Sequence, residues 1–471
     1  METRMVRTTM LDTRIGSIEL DKGMPATDDD MRCLFDASDF QRACQAYLWS
    51  LPLVSLAQWQ HSARSVLDMR DIDMVVYESL GDRLGILTAN ASMTYIVGLP
   101  DLTRTGPLII DYPSGSSAGV ILDFWQRPVH EMGEFGPDKG VGGRYLVVAP
   151  GQKAPPNVAD FVVQSPTTNV FIGFRALDAD PARANALIER FSMGSHDQPP
   201  SAEPTTFLRP HGRAWTQVPP RGLAYWNRLS DIVQREVVQE RDQMMYAMLA
   251  PLGIEKGRRF APNARQRRLL EDGAQVGEMI ARANAFGGRS TSARYHPDAR
   301  WREVVPFDSA NDVPGRNLLD ERSEYFYKAV AASTGRTDRT AAKDQACLSV
   351  YRDSLDHSLD GARTYRLRVP PNPPARLFWS LTIYDADQRV LVNNGRNIAD
   401  RSSRSMLRYN SDGSVDLYVG PTTPTEWESN WIPTTPGSAW FAYFRLYEPL
   451  EAFFAHRFAL PDFELMNGNH H

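Results

Sequence analysis

Two blocks of short alternating apolar runs, parted by a helical stretch, restrict this chain to a β-rich fold with a helical insert. In the first block, Leu108-Ile109-Ile110, Val120-Ile121-Leu122, Tyr145-Leu146-Val147-Val148 and Val170-Phe171-Ile172 read as strands, with Gly, Pro, Asn and Asp between them. In the second, the runs are Tyr365–Val369, Leu377–Ile383, Val415–Val419 and Trp440–Leu446. Their connections, such as Asn410-Ser411-Asp412-Gly413, carry turn chemistry. Short strands with no helices between them bury their apolar faces by stacking sheets or closing a barrel. A sandwich is therefore expected in the first block and a jelly roll or similar sandwich in the second.

Between the blocks the period lengthens. Trp226, Leu229, Val233 and Val237 share one helical face, continued by Met244, Met248 and Leu249, and the stripe reads as core. Asn263 can cap a second helix that runs to Phe286, where Gly287-Gly288 ends it. A short helix is expected from Pro181 to Phe191, a Pro- and Ser-rich linker from His196 to about Pro220, and another helix from Glu321 to Ala332. At the N-terminus, residues 1–27 read as a loosely ordered arm. A helix follows from Asp28 to about Leu51, with Asp36 as its cap and Pro52 as its end. The expected domains are an N-terminal arm (1–35), a helix plus β-sandwich domain (36–210), a helical domain (211–305) and a jelly-roll domain (306–466).

Composition narrows the functional classes. A net charge of −5 over 471 residues does not suit a general nucleic-acid binder, which needs a basic surface to displace counterions. Three cysteines, Cys33, Cys44 and Cys347, cannot build a disulfide framework and fit buried thiols in a reducing compartment. Met1 to Leu20 holds no apolar run of signal-peptide length, and no window approaches a membrane span. A cytoplasmic protein without membrane or nucleic-acid partners is expected, with a homo-oligomer left open.

Several motifs invite chemistry and have plainer explanations. Gly115-Ser116-Ser117-Ala118-Gly119 matches a nucleophile elbow, but the sequence after it reads as a strand where the elbow needs a helix, so a hairpin turn is favoured. His130-Glu131-Met132-Gly133-Glu134 lacks the spacing of helical metal ligands, so a surface loop is the expectation and no metal is assigned. Gly133 to Gly143 fits neither phosphate-binding loop pattern and could line a ligand cavity. Asp353, Asp356, His357 and Asp360 read as solvated turn chemistry. Trp427, Asn430, Trp431, Trp440, Tyr443 and Arg445 interleave aromatics with an amide and a guanidinium, which suits a small-molecule pocket, sugar stacking or a core. Trp440, Phe444 and Leu446 share one strand face, so Tyr443 and Arg445 share the other.

At these residues the chain resembles a bacterial family in which domain of unknown function 1254 is joined to domain of unknown function 1214. The resemblance rests on Gly420-Pro-Thr-Thr-Pro, Glu428–Pro433, Trp440-Phe441, Arg445–Leu450, Phe378–Asp385 and Asn410–Tyr418. Further upstream it rests on Gly136–Gly140, Gly142–Leu146, Ser165–Thr168 and Gly253–Gly257. It spans about residues 40–464 and implies an immunoglobulin-like sandwich, a small helical domain and a jelly roll. Where the family usually reads Pro-Asn-x-Asp-Thr-Leu-Tyr-Ser, this chain has Ala89-Asn-Ala-Ser-Met-Thr-Tyr-Ile96, with Ser92 at the aspartate position and Met93 at the threonine position.

The expectation drawn from these residues is an enzyme, a hydrolase or lyase, that acts on a small organic molecule between the two β domains without metal, nucleotide or flavin. Arg445 and Asn430 would bind and polarise a substrate oxygen, and Asp385 or Tyr95 would move a proton. Asn90, Tyr145, Trp379, Trp431 and Tyr443 would shape the pocket. The rival is a non-catalytic protein whose jelly roll grips a carbohydrate or envelope component through Trp427, Trp431 and Tyr443.

Overall fold

The computed structural model describes residues 8–91, 93–178, 180–197, 204–287, 294–304, 312–313, 316–331 and 345–466. Gly288, Ala332 and the terminal His470-His471 lie outside them. The chain divides into two compact units, Met1–Leu51 with Pro220–Ala281, and Pro52–Pro219 with Arg282–His471.

In the first unit, residues expected to form a loose arm make a small antiparallel sheet of β1 (Thr8–Thr13), β2 (Gly16–Asp21) and β3 (Met24–Pro25). Gly16 sits at φ +120°, a value that side-chain-bearing residues rarely take, and this permits the tight β1–β2 turn. The helix Asp28–Leu67 follows. Its cap is Thr27 rather than Asp36: the Asp30 amide donates to Thr27 Oγ1 (3.1 Å) and the Thr27 amide donates to Asp30 Oδ2 (3.1 Å). Asp36 instead accepts from Arg265 Nε at 2.5 Å.

Pro52 does not end this helix. A proline inside a helix costs about 3 kcal/mol. Leu51, Leu53, Val54 and Leu56 around it are completely buried, and burying one such side chain is worth about 1.5–3 kcal/mol. Their combined burial exceeds the cost.

The helix Leu223–Arg235 buries Tyr225, Trp226, Leu229, Ile232 and Val233. Tyr225 stacks on Tyr47 with ring centroids 4.2 Å apart, and Trp226 Nε1 donates to the Leu270 carbonyl at 2.6 Å. Val237 lies beyond the end of this helix, and Met244 is exposed, so the expected core stripe stops short. The helix Ala264–Gly287 approaches Tyr47 through Gly277, where an added Cβ would stand 2.7 Å from the Tyr47 Cβ. Gly277→Ala gains about 1 kcal/mol of helix propensity and meets an overpacking cost of about 1–3 kcal/mol. A net loss of about 1 kcal/mol is expected in urea denaturation. A stabilised variant would show that the two helices can separate there.

The second unit is mainly β. A four-stranded sheet, order β10-β9-β6-β12, contains β6 (Leu108–Tyr112), β9 (Gly143–Val148), β10 (Phe161–Gln164) and β12 (Ser192–Ser195). A six-stranded sheet, order β13-β4-β5-β11-β7-β8, contains β4 (Met74–Tyr77), β5 (Tyr95–Gly98), β7 (Ser117–Asp123), β8 (Pro128–Gly133), β11 (Val170–Ala176) and β13 (Phe207–Leu208). Ile110, Tyr145 and Val147 of the first sheet share one core with Val76, Ile121 and Ile172 of the second.

Two sequence expectations change here. The Gly115–Gly119 segment joins strands of different sheets rather than a hairpin, and the Ser117 hydroxyl accepts from Tyr112 at 3.1 Å. Pro128–Gly133 is strand β8 paired to β7, not a surface loop.

The C-terminal part repeats the two-layer plan. One sheet, order β14-β17-β23-β19-β20, holds β14 (Arg302–Glu303), β17 (Gln345–Val350), β19 (Ala375–Asp385), β20 (Asp400–Ser402) and β23 (Trp440–Pro449); β15 (Asp312–Val313) and β16 (Arg316–Asn317) form a separate pair. The facing sheet, order β22-β21-β18-β24, holds β18 (Tyr365–Val369), β21 (Val415–Gly420), β22 (Trp431–Pro433) and β24 (Glu464–Leu465). Leu348, Leu381 and Phe444 meet Leu367, Leu417 and Ile432 in the core between these layers.

Candidate functional site

Strand register places the site. Across β17, β23 and β19, Cys347 stands opposite Arg445 and Arg445 opposite Ser380; Ser349 stands opposite Tyr443 and Tyr443 opposite Thr382. Residues directly opposite in a sheet share a face. Their strand neighbours Leu348, Phe444 and Leu381 fill the core, so these two polar rows occupy the other face. There Tyr443 and Arg445 border a cavity whose opposite wall includes Val97, Val120 and Phe171 from the six-stranded sheet.

The cavity measures about 140 Å³. That is close to the size, about 150 Å³, at which an apolar hole accepts benzene. Phe135, 43% exposed, lines it and belongs to the Gly133–Gly143 loop, which Asp138 holds by accepting from the Gly133 amide (2.8 Å) and the Tyr145 hydroxyl (2.7 Å).

A strap after the one-turn helix Leu80–Arg83 supplies another wall. Arg445 Nη2 donates to the Thr88 carbonyl at 3.0 Å and the Tyr384 hydroxyl donates to the Ala89 carbonyl at 2.8 Å. The Asn90 amide donates to the Tyr447 hydroxyl, a partner 357 positions away in the chain, and the Asn90 backbone amide donates to the Tyr95 hydroxyl at 3.0 Å. Thr88 sits in the left-handed region at φ +43°, and its amide is fixed by the Arg389 carbonyl at 2.8 Å. Asn90, Tyr95, Tyr443 and Arg445 thus come together around one cavity.

Three donors at its edge have no hydrogen-bond partner although they are buried: Arg445 Nη1, the Tyr443 hydroxyl and Gln345 Nε2. Burial opposes the Arg445 charge, yet the surrounding Tyr384, Cys347, Tyr447 and Tyr95 raise its pKa above the ordinary value, so the guanidinium stays cationic. Burial pushes the Tyr447 phenol up to about 12 against the pull of Arg445, and raises Tyr384 and Tyr443 as well. At neutral pH these phenols keep their protons and act as donors. Glu131 is the carboxylate among the described lining residues, and Arg175 brings a second guanidinium.

Asp400, opposite Thr382 on β20, has its pKa raised by burial, against the attraction of Arg401, Arg445 and Arg83. A carboxylate raised in the folded state contributes most to stability below its unfolded pKa and loses that contribution as pH rises through the folded value. Asp400→Asn is therefore expected to be more stable than the parent at pH 7, with the difference fading towards pH 4 in chemical denaturation. An advantage that grows on acidification would reverse the assigned sign.

The other residues expected at the site lie elsewhere. Asp385 accepts from the Asp387 and Gln388 amides (2.9 and 2.6 Å) and holds a turn. Asn430 is completely buried and bonded at both ends of its amide, to Arg408, Ser429 and Asp416. Tyr145 sits in the N-terminal core; Trp379 stacks on Phe444 in the C-terminal core. Trp431 is buried with its Nε1 donating to the Gly420 carbonyl at 2.9 Å. Trp427 packs under Arg408, whose guanidinium lies 4.6 Å from the ring centroid. Asp353 and Asp360 accept from local backbone amides, as turn chemistry requires. Ser92 lies outside the described residues.

Sequence reasoning placed none of Gln345, Glu131 and Arg175 at the cavity, and it passed over Ser380 and Thr382, which share the sheet face of Arg445 and Tyr443 without lining the cavity. A signal was available: Ser380-Thr382-Tyr384 and Tyr443-Arg445-Tyr447 put polar groups at period two on strands whose other positions are apolar. Among the described residues no three His, Cys, Asp or Glu side chains converge as metal ligands, and no helix is long and apolar enough to cross a membrane.

Comparison with known proteins matches residues 74–195 to the family described as protein of unknown function (DUF1254), and residues 344–451 to protein of unknown function (DUF1214). No curated protein matches the chain. Among solved structures, the VPA0106 protein from Vibrio parahaemolyticus is similar at 17% identity and a TM-score of 0.54, over 91% of this chain and 100% of its own. An uncharacterised protein from Burkholderia cenocepacia aligns over 92% of this chain and 96% of its own, at 11% identity and a TM-score of 0.42. The first likeness is one of fold.

Proposed function

Starting from a chain that belongs to the family joining DUF1254 to DUF1214, we propose that it is an enzyme, a hydrolase or lyase, acting on a small organic molecule in the cavity between the two β parts. In this reading the layers carrying the cavity are an immunoglobulin-like sandwich and a jelly roll, which their paired-sheet cores support. One observation carries the functional reading: Arg445 Nη1, the Tyr443 hydroxyl and Gln345 Nε2 are buried donors without acceptors at the edge of one cavity. A buried donor left unpaired costs about 1–3 kcal/mol. A substrate oxygen would satisfy these donors, and a fixed donor set in a water-poor site stabilises charge that develops on such an oxygen.

The roles divide by position. Arg445 and Tyr443 polarise the oxygen. Glu131, on the β8 side of the cavity, moves the proton. Tyr95 and Asn90 hold the strap that aligns Arg445. The reaction uses side chains alone in this proposal, in keeping with a lining that offers amide, phenol, carboxylate and guanidinium groups. The carbohydrate-platform alternative draws no support from Trp431 and Tyr443, which are buried in separate places.

Turnover of small esters, lactones and hydroxy acids tests the proposal. Arg445→Met is expected to lose about 10²–10³-fold in kcat, the loss typical of a removed oxyanion donor. Tyr443→Phe keeps the ring and should lose less. Full turnover by both folded variants would sink the assignment, as would a parent protein that converts none of the panel.

A further inference from the structure

We infer that the N-terminal sheet and the helix start behind it form a clasp for a second copy of this chain, so that the protein pairs through its N-terminal arm. Within the arm, Met10, Leu11, Met24, Met31, Leu34 and Phe35 are each 37–69% exposed. Met10 and Leu11 are neighbours on β1 and point to opposite faces of the sheet, so the apolar surface is two-sided. A flat partner covers one face of such a sheet, and a clasp covers both.

The arm stands clear of the helix beside it. Arg265, the second residue of the helix Ala264–Gly287, meets Asp36 and Asp39 (2.5 and 2.8 Å). Further along, Gly273 abuts Ala43 and Gly277 abuts Tyr47. The two helices therefore run in the same direction, and the second begins level with Asp36. The first two turns of the helix Asp28–Leu67, which carry Met31, Leu34 and Phe35, extend beyond it. The sheet is fixed to these turns: the Glu19 amide donates to Asp30 Oδ1 at 3.1 Å, and the Ala26 amide donates to the Glu19 carbonyl at 2.8 Å. A surface already held in shape spends little ordering entropy on binding.

Three observations point to a second copy as the partner. The first is area. The six side chains together expose about as much surface as three whole large ones, on the order of 600 Å² at about 200 Å² each. Interfaces are about 57% apolar, so this corresponds to roughly 1,000 Å² on one partner, against about 800 Å² in a standard interface.

The second is the outer edge of β1. Among the described residues β1 pairs with β2 alone, and Thr8–Thr13 holds neither lysine nor proline, the residues that blunt an exposed edge. Two such edges related by a two-fold axis continue one antiparallel sheet across the pair, and two-fold dimers are the commonest assemblies.

The third is charge. Residues 8–36 hold seven acids and three bases, while residues 255–268, at the foot of the arm, hold six bases and one acid. Of these bases, Lys256, Arg258, Arg259, Arg267 and Arg268 are exposed. The chain thus carries the complement of its own arm, and in a two-fold pair each arm meets the basic segment of the other copy. An anionic lipid surface suits an acidic arm badly.

The experiment is sedimentation velocity on the full chain. Twice the single-chain mass is expected at micromolar concentration, since interfaces of this area hold at micromolar or tighter. Leu11→Glu with Phe35→Glu sets charge into the apolar contact and is expected to weaken pairing by about a hundredfold or more. Arg267→Glu with Arg268→Glu, and separately Asp28→Lys with Asp29→Lys, should each sediment as single chains. Mixed in equal amounts, these two charge-reversed proteins should pair, because an intact arm then meets an intact basic segment and a reversed arm a reversed one. Thermal melts close to the parent's show that each variant is folded.

A parent that sediments as a single chain up to about 100 μM would overturn the inference. So would a pair that survives Leu11→Glu with Phe35→Glu, which would place the interface elsewhere. Charge-reversed variants that pair as tightly as the parent would overturn the contact between arm and basic segment. If the parent stays single and floats with phosphatidylglycerol vesicles, the arm's occupant is a lipid surface and the inference fails.

Discussion

Asn430→Ala is expected to destabilise the second unit by about 3 kcal/mol or more, because it strands several buried backbone groups, each worth about 1–3 kcal/mol. Asn430 Oδ1 accepts from the Arg408 amide at 2.8 Å and from Ser429 Oγ at 2.9 Å. Its Nδ2 donates to the Arg408 carbonyl at 2.8 Å and the Asp416 carbonyl at 2.9 Å. One amide therefore ties the irregular segment before β21, β21 itself and the turn before β22. Alanine replaces none of these bonds. Urea denaturation reads the loss directly, and ligand affinity measured well below the midpoint should stay within about twofold of the parent. If the variant unfolded like the parent but lost binding, Asn430 would belong to the site after all.

The second large effect concerns Asp123, completely buried at the turn between β7 and β8. Its Oδ1 accepts from the Trp125 and Arg127 amides, each at 2.9 Å, and its Oδ2 accepts from Arg127 Nε at 2.6 Å. The turn needs this support, since Gln126 holds φ +63° and Phe124 and Trp125 are fully buried.

Breaking a buried ion pair by deleting one partner costs about 3–5 kcal/mol, because the remaining charge loses its counterion. Asp123→Ala is expected to fall in that range, which corresponds to a drop of roughly 10 °C in melting temperature for a domain of this size. Asp123→Asn keeps an acceptor for both backbone amides and should lose markedly less. Equal losses in the two variants would show that the ion pair, and not the turn, carries the energy. A loss under about 1 kcal/mol in both would overturn the account. β7 and β8 form part of the cavity wall through Val120 and Glu131, so a loosened turn should also weaken ligand binding.

Strand and helix periodicity were legible from residue order because each depends on one face per element. The runs around Ile121, Val147, Ile172, Leu381 and Phe444 all reach a core. Less legible were places where packing outweighs local preference. Pro52 stays within a helix because its neighbours are wholly buried. Thr27, and not Asp36, caps that helix because only Thr27 has a carboxylate three residues on that reaches back to its amide.

At the site, residue type misled where hydrogen-bond accounting decides function. Asp385 and Asn430 carry the right groups for catalysis, yet both spend them on neighbouring backbone. Ser380 and Thr382 drew no notice, and their hydroxyls remain unspent.

Order along the chain thus determined the main core strands and the central helices, and that Tyr443 and Arg445 share a face, because side-chain direction follows the backbone period. Asn90 and Tyr95 came to notice through the family resemblance, as the two positions of its Pro-Asn-x-Asp-Thr-Leu-Tyr-Ser pattern that this chain keeps. Only the tertiary structure decided that Arg445 reaches the Thr88 carbonyl, that Ser380 stands opposite it on β19, and that Val97 and Val120 of the six-stranded sheet line one cavity with Arg445. The physical reason is that pairing register and layer contacts join residues hundreds of positions apart, and whether a polar group is free for chemistry depends on every neighbour that such contacts bring to it.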